Sequence, residues 1–525
     1  MNVLTNGMYM VPELVLLLGA CVTLIAGADH RSRTSLLVSP LALITLVVAI
    51  VASLLLRPEE EFVAPLPGIL LNSLSHYTRL ITLGIGVAIV LVNWAQCGRA
   101  ERGEYMGLIL LSLMGVMLTA SANDLLILFF AIELVSVPTY VLIALSRDDA
   151  RASEASVKYF FLGALSTAIL AYGMSFLYGM AGTTTLSTLQ DGVAYSVWPA
   201  GSEFGPLALA GLLMVIAGLA FKIAAVPFHV YAPDVYEGAA SPVTGMLGFV
   251  PKLAGFLAFA KILSLMQWDI PGQLYWVMWL MAAASMTFGN VLALLQRNVK
   301  RMLAYSSVAH TGYMLIALLV GPVAGAGPMR DGLAALLFYM VVYGLMNLGA
   351  FAMLAAFSRA KGEEIETLDD ISGLSSIAPW ESFALAVCVF SLIGFPPTAG
   401  FLGKLYVFSS AFSLETLHPF HGPVVALAII GVINSAIGAA YYLKIVGAVY
   451  VREAVDAPVS KNSQPIRFAL AMCSIPMLVF FLRPAMVTDA ARAATTSMRP
   501  TLPETKLTVK KEEPTNELAA ATVND

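Results

Sequence analysis

Long, continuous apolar segments constrain this chain more than any other feature of its sequence. A helix needs about 20 apolar residues to cross a bilayer, and segments of this kind recur along the chain. The bilayer core offers no water to backbone polar groups, so such segments form α-helices. A membrane β-barrel would instead show alternating segments of about ten residues. The sequence therefore predicts an all-α polytopic membrane protein with about 14 transmembrane helices. The predicted spans are 9–27, 34–56, 76–97, 105–121, 124–145, 157–181, 206–231, 241–266, 273–295, 301–322, 331–357, 379–411, 422–450 and 467–488.

The composition agrees with this assignment. The chain of 525 residues is 59% hydrophobic and only 12% charged, whereas a soluble domain carries about 25% charged residues. Too few polar residues are present to cover the surfaces of several soluble domains, which excludes a typical soluble enzyme, a disordered chain and a nucleic-acid-binding protein. The four cysteines are far apart and belong to no Cys/His cluster. The sequence therefore predicts no metal site and no cofactor-binding residues.

Basic residues are distributed unevenly between the predicted loops. The flanks of alternate connections, beginning after the first span, hold fifteen Lys and Arg residues, and the other connections hold only three. Because inner loops are enriched in Lys and Arg, the richer set is predicted to lie on the inner side. An even number of spans then places both termini outside. The three basic residues assigned to the outer side are Arg57, Arg79 and Arg330.

Prolines predict that the seventh and twelfth spans are broken, because proline removes an amide donor and clashes with the preceding turn. Pro227 and Pro396 lie 169 residues apart, and Glu133 and His310 are offset by a similar 177 residues. These offsets indicate two five-helix repeats, spans four to eight and nine to thirteen, of which the second is inverted because five is odd. The predicted organisation is a three-helix segment at 1–104, the two repeats at 105–266 and 267–450, a final span at 451–488 and a polar, disordered tail at 489–525.

Four ionisable residues, one acid and three lysines, lie well inside the predicted spans and share a similar depth. A charge at the centre of a bilayer costs roughly 2.5–3.5 kcal/mol, so such residues usually face protein or water and mark a pathway. Burial disfavours the ammonium form of lysine and a nearby carboxylate favours it, so a movable carboxylate can load a lysine with a proton or release it. The four residues are Glu133, Lys222, Lys252 and Lys404.

Two interpretations stay open for the Glu133–Lys222 pair and for each of three further candidates, Lys158, His229 and His310. Glu133 and Lys222 form either a working proton site or a static pair that fixes helix packing. Lys158 either reaches Glu133 or extends to the inner surface. His229 and His310 are either proton-relay residues or packing residues held by hydrogen bonds.

Three sequence segments resemble a known family. They are FKIAAVPFHVYAPDVYEGAASP at 221–242, KRMLAYSSVAHTGY at 300–313 and GFPPTAGFLGK at 394–404. These segments are similar to the hallmark motifs of the antiporter-like subunits of respiratory complex I, the NADH–quinone oxidoreductase, and the similarity extends over about 105–450. The resemblance implies that the chain moves protons across the membrane while partner subunits reduce quinone.

The resemblance also implies a role for each matching residue. Glu133 and Lys222 would be the modulating ion pair of an inner-side half-channel in the first repeat. Lys252 would be the central relay residue, and Lys404 would be the proton donor of an outer-side half-channel in the second repeat. The supporting residues would be Lys158, His229 and His310.

The same resemblance sets expectations for cofactors, partners and location. FMN, Fe–S clusters and quinone would be bound by partner subunits, and this chain would carry no cofactor. Its partners would be the other membrane-arm subunits, especially neighbouring antiporter-like and small membrane subunits, together with the lipid bilayer of a bacterial inner membrane. The main alternative is a subunit of a multi-subunit monovalent cation/proton antiporter. A structural spacer and a solute permease are the further alternatives.

Overall fold

Helices account for almost all of the regular structure in the described part of this chain. Among the described residues, four strands of two residues each form two small antiparallel sheets. In one, β1 (Phe62–Val63) pairs with β2 (Leu70–Leu71), and in the other, β3 (Phe357–Ser358) pairs with the distant β4 (Val459–Ser460). The computed structural model describes residues 8–28, 37–57, 62–63, 68–94, 101–147, 149–192, 205–323, 329–359, 363–414, 418–454, 458–461 and 463–499.

The first half of the chain contains eleven of the described helices. They are α1 (Val11–Ala28), α2 (Val38–Leu55), α3 (Ser73–Val92), α4 (Arg102–Ser121), α5 (Leu125–Ser146), α6 (Ala150–Ala181), α7 (Leu186–Gly192), α8 (Pro206–Lys222), α9 (Ala232–Gly238), α10 (Ser241–Leu247) and α11 (Val250–Ser264).

The second half adds nine described helices, and a short 3₁₀ turn follows the last of them. They are α12 (Gly272–Leu294), α13 (Val299–Val320), α14 (Gly332–Ala356), α15 (Leu374–Ile377), α16 (Pro379–Ile393), α17 (Ala399–Ser410), α18 (His421–Tyr450), α19 (Gln464–Leu482) and α20 (Ala485–Thr495).

The described residues include twelve helical spans that are long and apolar enough to cross a membrane, with α10 and α11 together forming one of them. Each overlaps one of the predicted spans, so the all-α membrane fold is confirmed. The two predicted spans that lack a long helix are the seventh and the twelfth, which the prolines predicted to be broken. The exact number of crossings and the inverted repeat stay predictions.

The first break follows Lys222, where α8 ends, and nine residues of irregular backbone separate it from the short helix α9. Pro227 lies within this segment and has no amide hydrogen to donate. Ala224 adopts a positive φ of 55°, and the amide of Val226 donates to Ser285 Oγ at 2.9 Å. Side chains of neighbouring helices thus replace the lost intrahelical hydrogen bonds, as a membrane interior requires.

The second break separates α16 from α17. Gly394 ends α16 in the left-handed region, with φ of 81°, a conformation that glycine adopts at low cost. Pro396 and Pro397 follow, and the amide of Gly400 donates to Ser391 Oγ at 3.0 Å. At each break a backbone carbonyl accepts from a buried side chain. The carbonyl of Ile223 accepts from Thr311 Oγ1 at 2.8 Å, and that of Ile393 accepts from Lys404 Nζ at 2.8 Å.

The core of the molecule is formed by α11, α13 and α14. Nearly all residues of these helices are buried, whereas α1, α2, α6, α18 and α19 expose apolar side chains on their outer faces. A helix that is apolar all round belongs inside a bundle. The central helices are thus shielded from lipid by the others, and each of them carries residues of the candidate site.

The prediction of a disordered tail from residue 489 is wrong for its first residues. After the last span, α20 packs against α3 and α14. Thr495 Oγ1 donates to the buried Asp331 at 3.1 Å, and the indole of Trp268 donates to the carbonyl of Met498 at 2.8 Å. Polarity did not indicate this packing, which arises because small side chains give α20 one buried face. Residues 500–525 lie outside the described part of the chain.

Candidate functional site

Glu133 and Lys222 form an ion pair between two neighbouring helices. Glu133 lies in the middle of α5, and Lys222 is the last residue of α8. Lys222 Nζ is 2.9 Å from Glu133 Oε1, and it also donates to Ser136 Oγ at 2.9 Å and to Thr167 Oγ1 at 3.1 Å. Thr167 in turn donates to Glu133 Oε1 at 2.8 Å. Every donor of the ammonium thus has an acceptor, as a buried lysine requires.

The two members of this pair differ in their exposure. The Lys222 side chain is only 4% exposed, whereas that of Glu133 is 21% exposed. The lysine is fixed at the end of a helix, next to the first break. The carboxylate lies closer to the surface of the chain than the ammonium does.

Lys252 lies near the start of α11 and is almost fully buried. Its Nζ donates to the carbonyl of Ser307 and to Thr311 Oγ1, the latter at 2.7 Å. The ring of Tyr343 lies 5.6 Å from the same nitrogen, which is within the range of a cation–π interaction. All three contacting groups are neutral. The site therefore contains no carboxylate contact that would hold Lys252 in its charged form.

A small cavity lies between Lys222 and Lys252, and both lysines line it. It has room for about one water molecule. Tyr159, Tyr231 and Tyr236 form much of its remaining wall. A water molecule in this space would need polar partners among the side chains that line it.

Lys404 lies in α17, directly after the second break. It donates to the carbonyl of Ile393 and to Ser435 Oγ, both at 2.8 Å. The ring of Tyr313 lies 5.1 Å from its Nζ. A Cβ on Gly394 would come within 2.8 Å of Lys404 Cδ. The break therefore supplies both a free carbonyl and the space that the lysine side chain occupies.

His310 is buried in α13 with a tyrosine hydroxyl on each ring nitrogen. Nδ1 lies 2.6 Å from the hydroxyl of Tyr339, and Nε2 lies 3.0 Å from that of Tyr442. The rings of Tyr343 and Tyr313 lie 5.1 Å and 5.5 Å from the imidazole. These last two tyrosines are the ones beside Lys252 and Lys404. His310 thus lies between the two lysines.

Two of the predicted supporting residues lie away from this line. Lys158 does not contact Glu133, and it extends to the surface, where Nζ lies 2.7 Å from Glu154 and 3.0 Å from Asp234. Of its two interpretations, the structure favours the surface one. His229 lies half-buried in the irregular segment after α8. It is not among the described residues that line the cavity between Lys222 and Lys252.

Sequence reasoning missed a buried ion pair in the first three helices. Arg79, which loop charge assigned to the outer side, lies within α3 and is fully buried. Its guanidinium contacts both carboxylate oxygens of Glu13 in α1, at 2.6 Å and 2.9 Å. Such a bidentate pair has two parallel charge-assisted hydrogen bonds. The signal in the sequence was one acid and one arginine inside two separate apolar segments.

The tyrosines around His310 were also missed. Tyr339 lies in the middle of α14 and Tyr442 in α18, and nothing in their local sequence distinguishes them from packing residues. Among the described residues, no group of three or more His, Cys, Asp or Glu side chains could hold a metal ion.

Residues 122–438 match the family described as NADH:quinone oxidoreductase/Mrp antiporter, transmembrane. This segment is more than half of the chain. The chain belongs to this family. All seven predicted site residues lie within the matched segment.

Curated relatives of this chain carry the name NADH-quinone oxidoreductase subunit N. The protein of Rhodospirillum rubrum is 37% identical over 92% of this chain and 96% of its own length. That of Methylobacterium nodulans is 36% identical over 93% of this chain and 97% of its own length. These matches extend well beyond the segment that defines the family.

Solved structures show the same architecture. A chain of respiratory complex I from Thermus thermophilus is 29% identical, with a TM-score of 0.75 over 92% of this chain and 99% of its own. A chain of the Mrp complex from Dietzia is 21% identical, with a TM-score of 0.79 over 94% of this chain and 97% of its own. The second likeness shows the fold alone.

Proposed function

We propose that this chain is subunit N of an NADH–quinone oxidoreductase and that it translocates protons through a relay at the membrane midplane. The observation that carries the proposal is one line of contacts through the protein. It begins at the Glu133–Lys222 ion pair and crosses the cavity to Lys252. From there it continues through the neighbouring rings of Tyr343, His310 and Tyr313 to Lys404. The relatives named subunit N support the assignment to complex I.

Proton loading takes place at Lys222. With the carboxylate of Glu133 at 2.9 Å, the ammonium is the favoured form. When Glu133 moves away, the ammonium loses its counter-charge in a buried site and gives up its proton. The hydroxyls of Ser136 and Thr167 keep the nitrogen hydrogen-bonded throughout.

Transfer from Lys222 to Lys252 uses the cavity that both residues line. A water molecule there accepts the proton from one nitrogen and delivers another to the second. Once Glu133 has moved away, neither Lys222 nor Lys252 has a carboxylate contact, so the proton is no longer held at Lys222 and passes to Lys252. Return of Glu133 to Lys222 then favours a new proton at that residue.

The step from Lys252 to Lys404 passes His310. A neutral imidazole accepts a proton on one nitrogen and releases one from the other, since the two ring nitrogens are distinct sites. The hydroxyls of Tyr339 and Tyr442 are hydrogen-bonded to the two ring nitrogens of His310. Lys404, next to the second break, releases the proton toward the outer side.

The rest of the reaction belongs to partner subunits. Electron transfer and quinone reduction take place there, and this chain carries no redox cofactor of its own. It would be a multi-pass protein of a bacterial inner membrane with both termini outside, in contact with neighbouring antiporter-like and small membrane subunits. The whole complex is then a proton-translocating oxidoreductase, and this chain is one of its pumping parts.

A subunit of a multi-subunit monovalent cation/proton antiporter is the second candidate. It shares the fold, as the likeness to the Dietzia Mrp complex indicates. Sequence identity favours the first candidate, because the curated relatives at 36–37% identity are named subunit N. Copurification with the other complex I subunits would distinguish the two.

The Lys252→Met variant tests the relay. Methionine fills the site but carries no proton, so we expect proton pumping in vesicles, and the quinone reduction coupled to it, to fall about tenfold or more. Lys444→Met is the matched control, because Lys444 is exposed on α18 and donates only to the carbonyl of Leu294 among the described residues. Normal pumping with normal quinone reduction in Lys252→Met would contradict the proposal and favour a structural spacer.

A further inference from the structure

An open pocket of about 330 Å³ lies on the face of the chain where the basic loop residues are concentrated. It lies between α6, α9 and α13. Charged side chains form most of its wall, among them Arg151, Glu154, Lys158, Asp234 and Arg301. By the distribution of Lys and Arg, this is the inner side of the membrane.

A chain of alternating charges crosses the pocket. Glu154 contacts Lys158 at 2.7 Å, Lys158 contacts Asp234 at 3.0 Å, Asp234 contacts Arg301 at 3.0 Å, and Arg301 contacts Glu237 at 2.7 Å. The two acids on α9 thus connect this helix to its neighbours. Asp234 contacts both Lys158 on α6 and Arg301 on α13, and Glu237 contacts Arg301. We call these five residues the ionic latch.

Asp234 is the centre of the ionic latch. Burial opposes its ionisation, but the hydrogen bonds and positive charges of Lys158 and Arg301 outweigh this effect and lower the pKa of its carboxyl. Asp234 therefore stays charged at neutral pH, and two of the four contacts depend on it.

The floor of the pocket is a close contact between α9 and α6. A Cβ on Gly238 would lie 2.5 Å from the Cβ of Ala155 and 2.8 Å from the carbonyl oxygen of Arg151. Only glycine permits the two helices to approach so closely.

Directly behind this floor lies the internal cavity that Lys222 and Lys252 line. Adjacent residues of the same helices face the two spaces. On α6, Lys158 lines the pocket and Tyr159 lines the cavity, and on α9, Glu237 lines the pocket and Tyr236 lines the cavity. One layer of side chains thus separates the inner surface from the relay.

We propose that this pocket is the mouth through which protons enter from the inner side, and that α9 is its gate, held closed by the ionic latch. The inference rests on the proposed proton relay, because it supplies that relay with its entrance. The gate is able to move because α9 has only seven residues and lies between the irregular segment after α8 and the break before α10. Solvent-exposed ion pairs hold weakly, so thermal motion opens it.

Cysteine accessibility in the assembled complex tests the gate without turnover. Val235 is buried on α9 and lines the cavity behind the floor. A Val235→Cys probe, in a background whose four native cysteines are replaced by alanine, is labelled in inside-out vesicles with a membrane-impermeant cationic methanethiosulfonate. The labelling rate reports how often the cavity opens to the inner side.

Two gate variants and one control complete the design. Asp234→Asn removes two contacts of the ionic latch, and Gly238→Ala forces α9 away from α6. We expect each to raise the labelling rate about tenfold or more. Arg452→Gln, which removes the exposed contact with Asp369, leaves the rate unchanged.

The outcomes are distinct from those of the Lys252→Met experiment. Unchanged labelling in both gate variants overturns the gate even if the relay pumps protons normally. Faster labelling supports the gate even if Lys252→Met pumps protons normally. In that case the proposed proton relay is wrong and the gate stands. If one gate variant fails to assemble, the other still decides, because each acts on α9 by a different contact.

Discussion

Replacing Glu133 by glutamine changes one charge in the relay and little else. Glutamine has the shape of glutamate and keeps an oxygen that accepts from Thr167. At 2.9 Å and an effective dielectric constant of about 20, the lost attraction between the carboxylate and the Lys222 ammonium is about 6 kcal/mol. Since each 1.4 kcal/mol is a factor of ten, the charged form of Lys222 becomes about 10⁴-fold less favourable relative to the neutral form.

We therefore expect Glu133→Gln to stop proton loading at Lys222. Quinone reduction and proton pumping, measured together in membrane vesicles, are expected to fall in parallel by about tenfold or more. Glu453→Gln is the matched control, because Glu453 is exposed on the surface, and it is expected to behave as the parent chain.

One result would refute this reasoning. If Glu133→Gln lowered the melting temperature of the complex but pumped protons at the parental rate, the pair would be a static packing element. The Coulomb energy would then stabilise the helix contact alone and would have no part in moving protons.

Three further predictions concern other parts of the chain. Gly394→Ala is expected to destabilise the second break by about 1–3 kcal/mol, measured by thermal unfolding, because φ is 81° there. Truncating Arg79 to leucine leaves Glu13 buried without a partner and is expected to cost about 3–5 kcal/mol, whereas replacing both residues by leucine restores most of the melting temperature. Burial opposes ionisation of Glu364, but Lys300 and its other cationic neighbours outweigh this effect and lower its pKa below the ordinary value of 4.5. Its contribution to stability is fully present above pH 4.5 and is lost as the pH falls through the lowered pKa. The melting temperature should therefore be flat near neutral pH and fall only in acid; a fall between pH 8 and about 6 would contradict this assignment.

Much of the architecture was accessible from the sequence because a bilayer acts on each segment separately. A span such as Gly332–Ala356 is apolar along its whole length, and its polarity alone predicts a helix of that length. The breaks after Lys222 and Ile393 followed from prolines within the same segments. The cost of a buried charge likewise singled out Glu133 and the three lysines.

Segment polarity was a poor guide where tertiary contacts decide. Residues 489–499 read as a polar tail, yet α20 buries its small side chains against α3 and α14. Arg79 was assigned to the outer side by the loop charges, and its pairing was not predicted because its partner Glu13 lies in a different helix, 66 residues away. The sequence was compatible with Lys158 reaching Glu133 or extending to the surface, and only the packing of α6 decided that it lies at the surface.

The sequence by itself thus determined that the chain spans a membrane many times, which spans are interrupted and which residues carry charge inside them. These are properties of single segments, set by the transfer of each residue between water and lipid. Only the tertiary structure decided that Lys222 contacts Glu133 and that His310 lies between Tyr339 and Tyr442. Tyr442 is 132 positions from His310 in the sequence. Such contacts depend on how each helix is rotated and packed against its neighbours, and hydrophobicity along one segment does not specify that rotation.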